Sequence, residues 1–142
     1  MSGGRELTVL VDEVFRLADA LSAAGDRLVA GEQLTSARWL TLGAVAHGPL
    51  SVAGIARRRG MRRQSAAESV AALERAGLVT REPDPDDARA PLVHLTEEGR
   101  ATLKRIRPVR HAWADETARV SSAEELAETA DVLRRIRLRL ES

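Results

Sequence analysis

The chain has 142 residues and no cysteine, so disulfide bonds, thiolate metal sites and thiol-based redox sensing are excluded. Hydrophobic residues make up 44% of the sequence and charged residues 30%, a balance typical of a folded domain rather than of a disordered chain. The formal net charge is only +1, and no apolar stretch reaches the roughly 18 residues that span a bilayer, which argues against a membrane partner.

The N-terminal segment carries the first helical pattern. Between residues 6 and 29, apolar side chains recur mostly at three- and four-residue steps, which predicts a long amphipathic helix that ends at Gly31. A similar apolar stripe returns in residues 126–140. One small domain has no obvious place for both stripes, so we expect a homodimer that buries them across a two-fold axis. A monomer in which these helices cover the rest of the chain is the alternative.

Residues 35–48, TSARWLTLGAVAHG, predict a second and buried helix. Thr35 or Ser36 is its N-cap, and Gly48 lies beyond its end. A short extended piece follows at Leu50.

Two short helices then meet at a tight turn. Ser51 caps a third helix that reaches about residue 59, Gly60 provides the turn, and a fourth helix runs over residues 62–76 and stops at Gly77. Two short helices joined through glycine form a helix-turn-helix. Its turn is strongly basic, because the stretch RRRGMRR holds five arginines and no acid while the carboxylates gather elsewhere.

The next segment predicts a hairpin. LVTREP at 78–83 and PLVHL at 91–95 read as short strands, and the Pro- and Asp-rich stretch between them reads as the loop. Thr96 is the expected N-cap of a fifth helix that extends to about residue 119, with Pro108 kinking or splitting it.

Ser122, three residues before a glutamate, starts the last helix with a capping box, and this helix reaches about residue 140. The complete order is helix, helix, short strand, helix, helix, hairpin, helix, helix. It predicts a mainly α fold with a small β-hairpin, a winged helix-turn-helix flanked by long helices at both ends.

Three stretches resemble the multiple-antibiotic-resistance regulator (MarR) family of bacterial transcription factors. The most specific is LERAGLVTREPDPDDARAPLVHLTEEG at 73–99, which is similar to the family's run from the end of the recognition helix through the wing. LTSARWLTLGAV at 34–45 and SVAGIARRRGMRRQS at 51–65 also resemble the family, and the match covers nearly the whole chain. The resemblance implies a homodimer that binds a palindromic operator in double-stranded DNA, released in many members by a small aromatic ligand.

With this resemblance, the chain divides into three parts. Residues 1–34 form an N-terminal dimerisation helix, residues 35–98 a winged helix-turn-helix DNA-binding lobe, and residues 99–142 the C-terminal dimerisation helices. The start MSGGRELTVL lacks the pattern of a secretion signal, so we expect a cytoplasmic regulator. Repression is the expected mode of action.

The fourth helix should present its N-terminal residues to DNA. Taken at 100° per residue, one side faces the core through Ala66, Val70, Leu73 and Gly77. The outward side carries Gln64, Ser65, Glu68 and Ala72, with Arg62 and Arg63 at the helix start. Gln64 suits adenine through bidentate pairing, Arg62 or Arg63 suits guanine or phosphate, and Ser65 suits base or backbone.

Arg57, Arg58 and Arg59 end the third helix, where positive charge suits the negative end of the helix dipole. On a docked helix-turn-helix, Arg57 and Arg58 would also reach phosphates, which position the protein without reading sequence.

Glu68 departs from the family pattern, which more often has a polar or basic residue there. It could accept a hydrogen bond from cytosine. We favour the alternative that it forms an ion pair with a neighbouring arginine and only orients that side chain.

Arg89 lies in the otherwise acidic hairpin stretch DPDDARAP. The tip of a wing reaches the adjacent minor groove, which attracts arginine where it is narrow and strongly negative. We expect Asp87 to brace the guanidinium through a charge-assisted hydrogen bond. Asp84 and Asp86 should favour the turn by bonding local backbone N–H groups.

An effector pocket would lie where the dimerisation helices meet the DNA-binding lobe, as the resemblance implies. Five ring-bearing residues are candidates to line it: Phe15, Trp39, His47, His111 and Trp113. Each taken alone is more often a core or surface residue than a ligand contact.

Other function classes find less support. The three histidines show no metal-ligand spacing, and no nucleophile motif, phosphate loop or dinucleotide fingerprint is present, so we expect no enzyme, metal or cofactor. RNA binding is disfavoured because exposed aromatic residues are lacking. A winged helix used as a protein–protein interaction module without DNA binding is the main alternative.

Overall fold

The computed structural model describes residues 2–142, which contain six α-helices and three strands. The helices are α1 Gly4–Val29, α2 Ser36–Ala44, α3 Val52–Arg59, α4 Arg63–Arg75, α5 Glu97–Thr117 and α6 Ala123–Glu141. The strands are β1 Leu50–Ser51, β2 Val79–Asp84 and β3 Asp87–Leu95, and 3-10 turns follow α1 and α5. This order confirms the predicted fold class of a mainly helical chain with a winged helix-turn-helix.

The chain divides into two compact units, one up to Ile106 and one from Arg107 to Ser142. The first unit holds α1 to α4, the sheet and the start of α5. The second holds the end of α5, a 3-10 turn and α6. Among residues 2–142, no helix combines the length and apolarity that a bilayer span requires.

Side-chain capping sets the starts of α2 and α3. The Thr35 hydroxyl accepts a hydrogen bond from the backbone N–H of Arg38 at 3.2 Å, and the Ser51 hydroxyl accepts one from Gly54 at 3.1 Å. Both interactions satisfy helix N–H groups that have no partner within the helix. Gly60 ends α3 with φ of 63°, a left-handed conformation that glycine adopts without strain. The predicted caps and turn are confirmed.

The core of the first unit lies between the helix-turn-helix and the sheet. Its fully buried side chains include Val29, Leu42, Ile55, Ala66, Val70, Leu73 and Val93. Burying each larger side chain of this kind contributes about 1.5–3 kcal/mol. The predicted core face of α4 is confirmed at its three helical positions. Gly77 is the exception, because it is exposed beyond the helix end with φ of 77°.

The sheet has the antiparallel order β1-β3-β2. Leu50 pairs with Val93 in the short outer pair, and β2 pairs with β3 along the hairpin. β3 begins at Asp87 rather than at Pro91, so the predicted long loop is wrong and only residues 85–86 connect the strands. The prolines suggested a loop, but Pro91 lies where β1 no longer covers β3, and a missing N–H is tolerated at such an edge.

Arg105 fastens the start of α5 to the 3-10 turn after α1. Its guanidinium donates to the Glu32 carboxylate through Nε at 3.1 Å and Nη2 at 2.9 Å, and Glu98 lies 3.6 Å away. Hydrogen bonding to Glu32 raises the pKa of Arg105. The ion pair ties the 3-10 turn after the long N-terminal helix to α5.

The C-terminal helices match the predictions only in part. α5 continues through Pro108 as one helix of 21 residues, so of the two outcomes predicted there, a kink or a split, the split does not occur. Ser122 caps α6 by accepting from the Glu125 N–H at 3.1 Å, as predicted. The Glu125 carboxylate, however, bonds the hydroxyl of Ser121, so the reciprocal half of the capping box does not form.

Candidate nucleic-acid interface

The first turn of α4 presents polar side chains to solvent. Arg62, Arg63, Gln64 and Ser65 are all exposed, whereas Ala66 behind them is fully buried. Arg62 occupies the N-cap position in an extended conformation and makes no side-chain capping hydrogen bond. The first N–H groups of α4 therefore face outward without a capping side chain, as anion-binding helix starts do.

A cleft of about 480 Å³ lies between the starts of α3 and α4 and the hairpin. Its lining residues are Ser51, Val52, Ala53, Arg63, Gln64, Ala67, Arg81, Arg89, Ala90 and Pro91. Three of the predicted site residues, Arg63, Gln64 and Arg89, thus meet in one place although Arg89 lies far from the other two in the sequence. The lining contains three arginines and no carboxylate, which makes the cleft attractive to a polyanion.

Arg81 is a cleft residue that the sequence analysis did not single out. It lies on β2, and its Nε donates to Glu74 Oε1 on α4 at 3.2 Å. The pair holds the hairpin against the end of α4. Only the register of β2 against β3 brings Arg81 to the cleft, so its isolated position in LVTREP gave little signal.

The three arginines that end α3 differ in their contacts. Arg58 Nη1 lies 3.4 Å from the Ala44 carbonyl oxygen, and Arg59 Nε donates to the Leu40 carbonyl oxygen at 2.8 Å. Both side chains therefore help to fasten α3 to α2, a contact that the helix-dipole argument did not include. Within the described residues, Arg57 has no carboxylate within 4.0 Å, and neither has Arg62 or Arg63.

Arg89 projects almost fully into solvent, with 97% of its side chain exposed. Its Nε lies 3.9 Å from Asp87 Oδ1, which is an ion-pair distance but too long for a hydrogen bond. The same Oδ1 accepts the backbone N–H of Arg89 at 3.1 Å. The predicted charge-assisted hydrogen bond is therefore wrong, because Asp87 orders the backbone of the turn rather than the guanidinium.

The neighbouring aspartates also divide their roles differently from the prediction. Asp84 Oδ1 accepts the backbone N–H of Asp86 at 2.9 Å, which confirms the turn-forming role of Asp84. Asp86 takes part in this turn through its own N–H, and its carboxylate makes no hydrogen bond to the described backbone.

Glu68 is exposed and forms no ion pair with any described residue, so the ion pair that we favoured is wrong. The reason lies in helix geometry, since side chains meet at separations of three and four residues. The four residues at those separations are all uncharged: Gln64, Ser65, Ala71 and Ala72. No arginine is therefore placed to neutralise this carboxylate.

The five candidate pocket residues lie in different settings. In the first unit, the Phe15 side chain is 72% exposed, His47 is exposed, and Trp39 is half-buried against the hydrophobic core. In the second unit, Trp113 is half-buried and His111 is exposed, with its Nε2 3.4 Å from Arg110 Nη2. Trp39 thus has the packing role that its position on α2 suggested.

Known proteins resemble the chain along most of its length. The MarR family profile matches residues 32–90. Rv2011c, an uncharacterized protein of Mycobacterium tuberculosis, is 35% identical over 131 residues, which cover 92% of this chain and 92% of that protein.

Solved structures agree in fold. The transcriptional regulator BldR from Sulfolobus solfataricus has a TM-score of 0.84 at 25% identity and covers 95% of this chain and 99% of its own. The PcaV transcriptional regulator from Streptomyces coelicolor, solved in complex with its natural ligand, has a TM-score of 0.72 at 31% identity, over 84% of this chain and 88% of its own. Profile, relatives and winged fold agree that the chain belongs to the MarR family of transcriptional regulators.

Proposed function

We propose that this regulator binds a palindromic operator in double-stranded DNA as a homodimer and represses transcription there. The observation that carries the proposal is the cleft lined by Arg63, Arg81 and Arg89 beside the exposed first turn of α4. A phosphate backbone entering this cleft would meet three positive side chains and the N-terminal end of α3. Because its lining has three arginines and no carboxylate, the cleft suits a polyanion better than an acidic surface or an apolar groove would.

Base recognition falls to the start of α4 in this proposal. The major groove admits an α-helix, and a recognition helix contacts base edges mainly through its N-terminal residues. Gln64 would read adenine, while Arg62 and Arg63 would pair with guanine or hold phosphate, and Ser65 would contact base or backbone. Ala67 is small and half-buried, so the helix can approach the groove closely.

Contacts with phosphates would surround the first turn of α4. Arg57 is exposed and without a carboxylate partner, and Arg58 lies beside it on the last turn of α3. Arg81, held by Glu74, would line the path of the backbone between α4 and the hairpin. Such contacts set the register of the protein on the duplex and make affinity depend strongly on salt.

Dimerisation would place two recognition helices on one operator. α1 leaves seven large apolar side chains exposed in the single chain: Leu7, Val9, Val11, Val14, Phe15, Leu17 and Leu21. α6 leaves five exposed: Leu126, Val132, Leu133, Leu138 and Leu140. Apolar faces of this length on a monomer mark an interaction surface. A two-fold pair would set the recognition helices roughly 34 Å apart, which is one turn of DNA.

Ligand control is the remaining part of the proposal. PcaV, a similar regulator, is solved in complex with its natural ligand, which supports a small effector for this chain as well. Within the first unit, Trp39 at the edge of the core is the candidate that we favour for contact with such a ligand. In the cytoplasm, a dimer bound to its operator would block transcription of the adjacent gene. Binding of the effector would release the dimer from the DNA.

Selection of bound sequences from random duplex DNA tests the proposal. We expect a palindrome with half-sites about one helical turn apart. Affinity for the selected duplex should fall about 10³- to 10⁵-fold between 50 and 200 mM salt if six to ten phosphates are contacted. Failure to enrich any sequence at low salt would refute DNA binding. Salt-insensitive capture of a protein would instead favour the interaction module.

Arg89→Ala should weaken operator binding about tenfold, because the wing loses its contact with the minor groove. The exposed side chain contributes little to packing, so the unfolding temperature should not change. Anisotropy titrations against the selected duplex and thermal unfolding measure both effects. Arg100→Ala is the matched control, since this arginine is also exposed but lies on α5 outside the cleft. Equal affinity of both variants would contradict a role for Arg89.

A further inference from the structure

Glu68 stands alone on the outward face of α4. Beyond Ser65, the residues of α4 before Leu73 that are not buried are Ala67, Glu68, Ala71 and Ala72. Three of these four side chains end at Cβ and leave a low surface. Glu68 is therefore the one long polar side chain that this part of the helix extends toward a docked groove.

The carboxylate of Glu68 is available for an external contact. It forms no ion pair with a described residue, and its helical neighbours carry no charge. An ionised carboxylate only accepts hydrogen bonds, so it is repelled by phosphates and by base edges that present acceptors. At an interface with nucleic acid, the Glu68 carboxylate is therefore favourable only where the nucleic acid presents a hydrogen-bond donor to it.

Helix geometry places Glu68 relative to Gln64. The two residues are one turn apart on the same stripe, which separates them by about 6 Å along the helix axis. This distance is close to two base-pair steps of roughly 3.4 Å each. If Gln64 contacts one base edge, Glu68 reaches an edge about two base pairs away.

The major groove offers a carboxylate few partners. Guanine presents the acceptors N7 and O6 and thymine presents O4, all of which repel it. Adenine presents an amino donor but places the N7 acceptor beside it, where the second carboxylate oxygen would lie. Cytosine presents the N4 amino group without an adjacent acceptor on the same base. Cytosine is thus the base that best fits a glutamate without an ion-pair partner in the protein.

We propose that Glu68 selects cytosine in each operator half-site, about two base pairs from the base that Gln64 reads. The inference rests on the DNA binding proposed above and adds one determinant of sequence specificity. The rival role is that the negative charge merely weakens all DNA binding by repelling phosphates. The two roles predict different responses to removal of the charge.

Glu68→Gln keeps the shape of the side chain and removes its charge. Sequences should be selected from random duplex DNA with the original protein and with the variant in parallel. The original protein should enrich cytosine at the same position of each half-site, and the variant should not. The variant should lose about tenfold in preference for cytosine over adenine there, because glutamine pairs with adenine. Gln64→Ala is the matched control and should relax a different position, leaving the cytosine in place.

Other outcomes overturn the inference in distinguishable ways. If Glu68→Gln binds every duplex more tightly with unchanged base preferences, the charge acts only by general repulsion. If the original protein enriches a palindrome without cytosine at that spacing, cytosine selection is wrong while DNA binding stands. The same holds if cytosine is enriched there but Glu68→Gln leaves the preference for it unchanged. If the original protein enriches no sequence, both proposals fail. Thermal unfolding of the variant verifies that the exposed substitution leaves the fold intact.

Discussion

Replacing Val14 and Leu21 of α1 together by glutamate should turn the protein into a monomer and weaken operator binding at least about 100-fold. The two side chains lie two turns apart on one stripe and are 39% and 44% exposed in the single chain. Further along the same stripe, Gly25 and Val29 are buried in the first unit. The stripe therefore enters the core at one end and remains open at the other, where a second chain would cover it.

The expected loss follows from the linkage of two half-sites. Once one recognition helix is bound, its partner finds the second half-site at a high effective concentration, which contributes a factor of about 10² to 10⁴. Two unpaired carboxylates in an apolar interface are strongly unfavourable and remove that linkage. Sedimentation at micromolar concentration and titration of the selected operator measure the two effects separately.

The matched control adds negative charge elsewhere on α1. Arg16→Glu combined with Ala23→Glu introduces two exposed carboxylates, also two turns apart, on the opposite side of the helix. This variant should remain dimeric and bind the operator with little change. A dimeric Val14 and Leu21 variant, or a monomer that binds as tightly as the original protein, would contradict dimerisation through α1.

Features that depend on nearby residues were predictable from the sequence. The caps at Thr35, Ser51 and Ser122 each join a hydroxyl to an N–H three residues on, and all three form as expected. Gly60 adopts the left-handed turn that joins the helix pair. Such interactions are local, so the residue types at short spacing carry enough information to specify them.

Features that depend on pairing across the fold were harder to predict. Arg81 reaches the cleft only because the register of β2 brings it beside α4. The hairpin loop was overestimated because proline disfavours a paired strand, while Pro91 lies beyond the reach of β1. Asp87 has a partner in the backbone N–H of Arg89, which competes with the guanidinium for the same oxygen. The unpaired state of Glu68, by contrast, follows from the sequence, because its neighbours at three- and four-residue spacing are uncharged.

Gly99→Ala should lower the free energy of unfolding by about 3 kcal/mol or more, at the upper end of overpacking effects. Gly99 is buried in the first turn of α5, and an alanine Cβ there would overlap the Leu78 carbonyl oxygen and lie 2.7 Å from Leu95 Cδ1. The carbonyl cannot move freely, because it accepts the Thr96 N–H at 3.1 Å. Separating α5 from the start of β2 would therefore disturb the base of the hairpin.

Urea unfolding followed by circular dichroism measures this loss, with Gly31→Ala as the control. A Cβ at Gly31 meets no heavy atom within 4 Å, so that variant should be as stable as the original protein. A Gly99 variant that unfolds within about 0.5 kcal/mol of the original would show that α5 shifts without penalty. A destabilised but folded variant should also bind the operator more weakly than Gly31→Ala does, because the cleft depends on the hairpin that carries Arg81 and Arg89. Loss of stability without loss of affinity would mean that the wing contributes little to the complex.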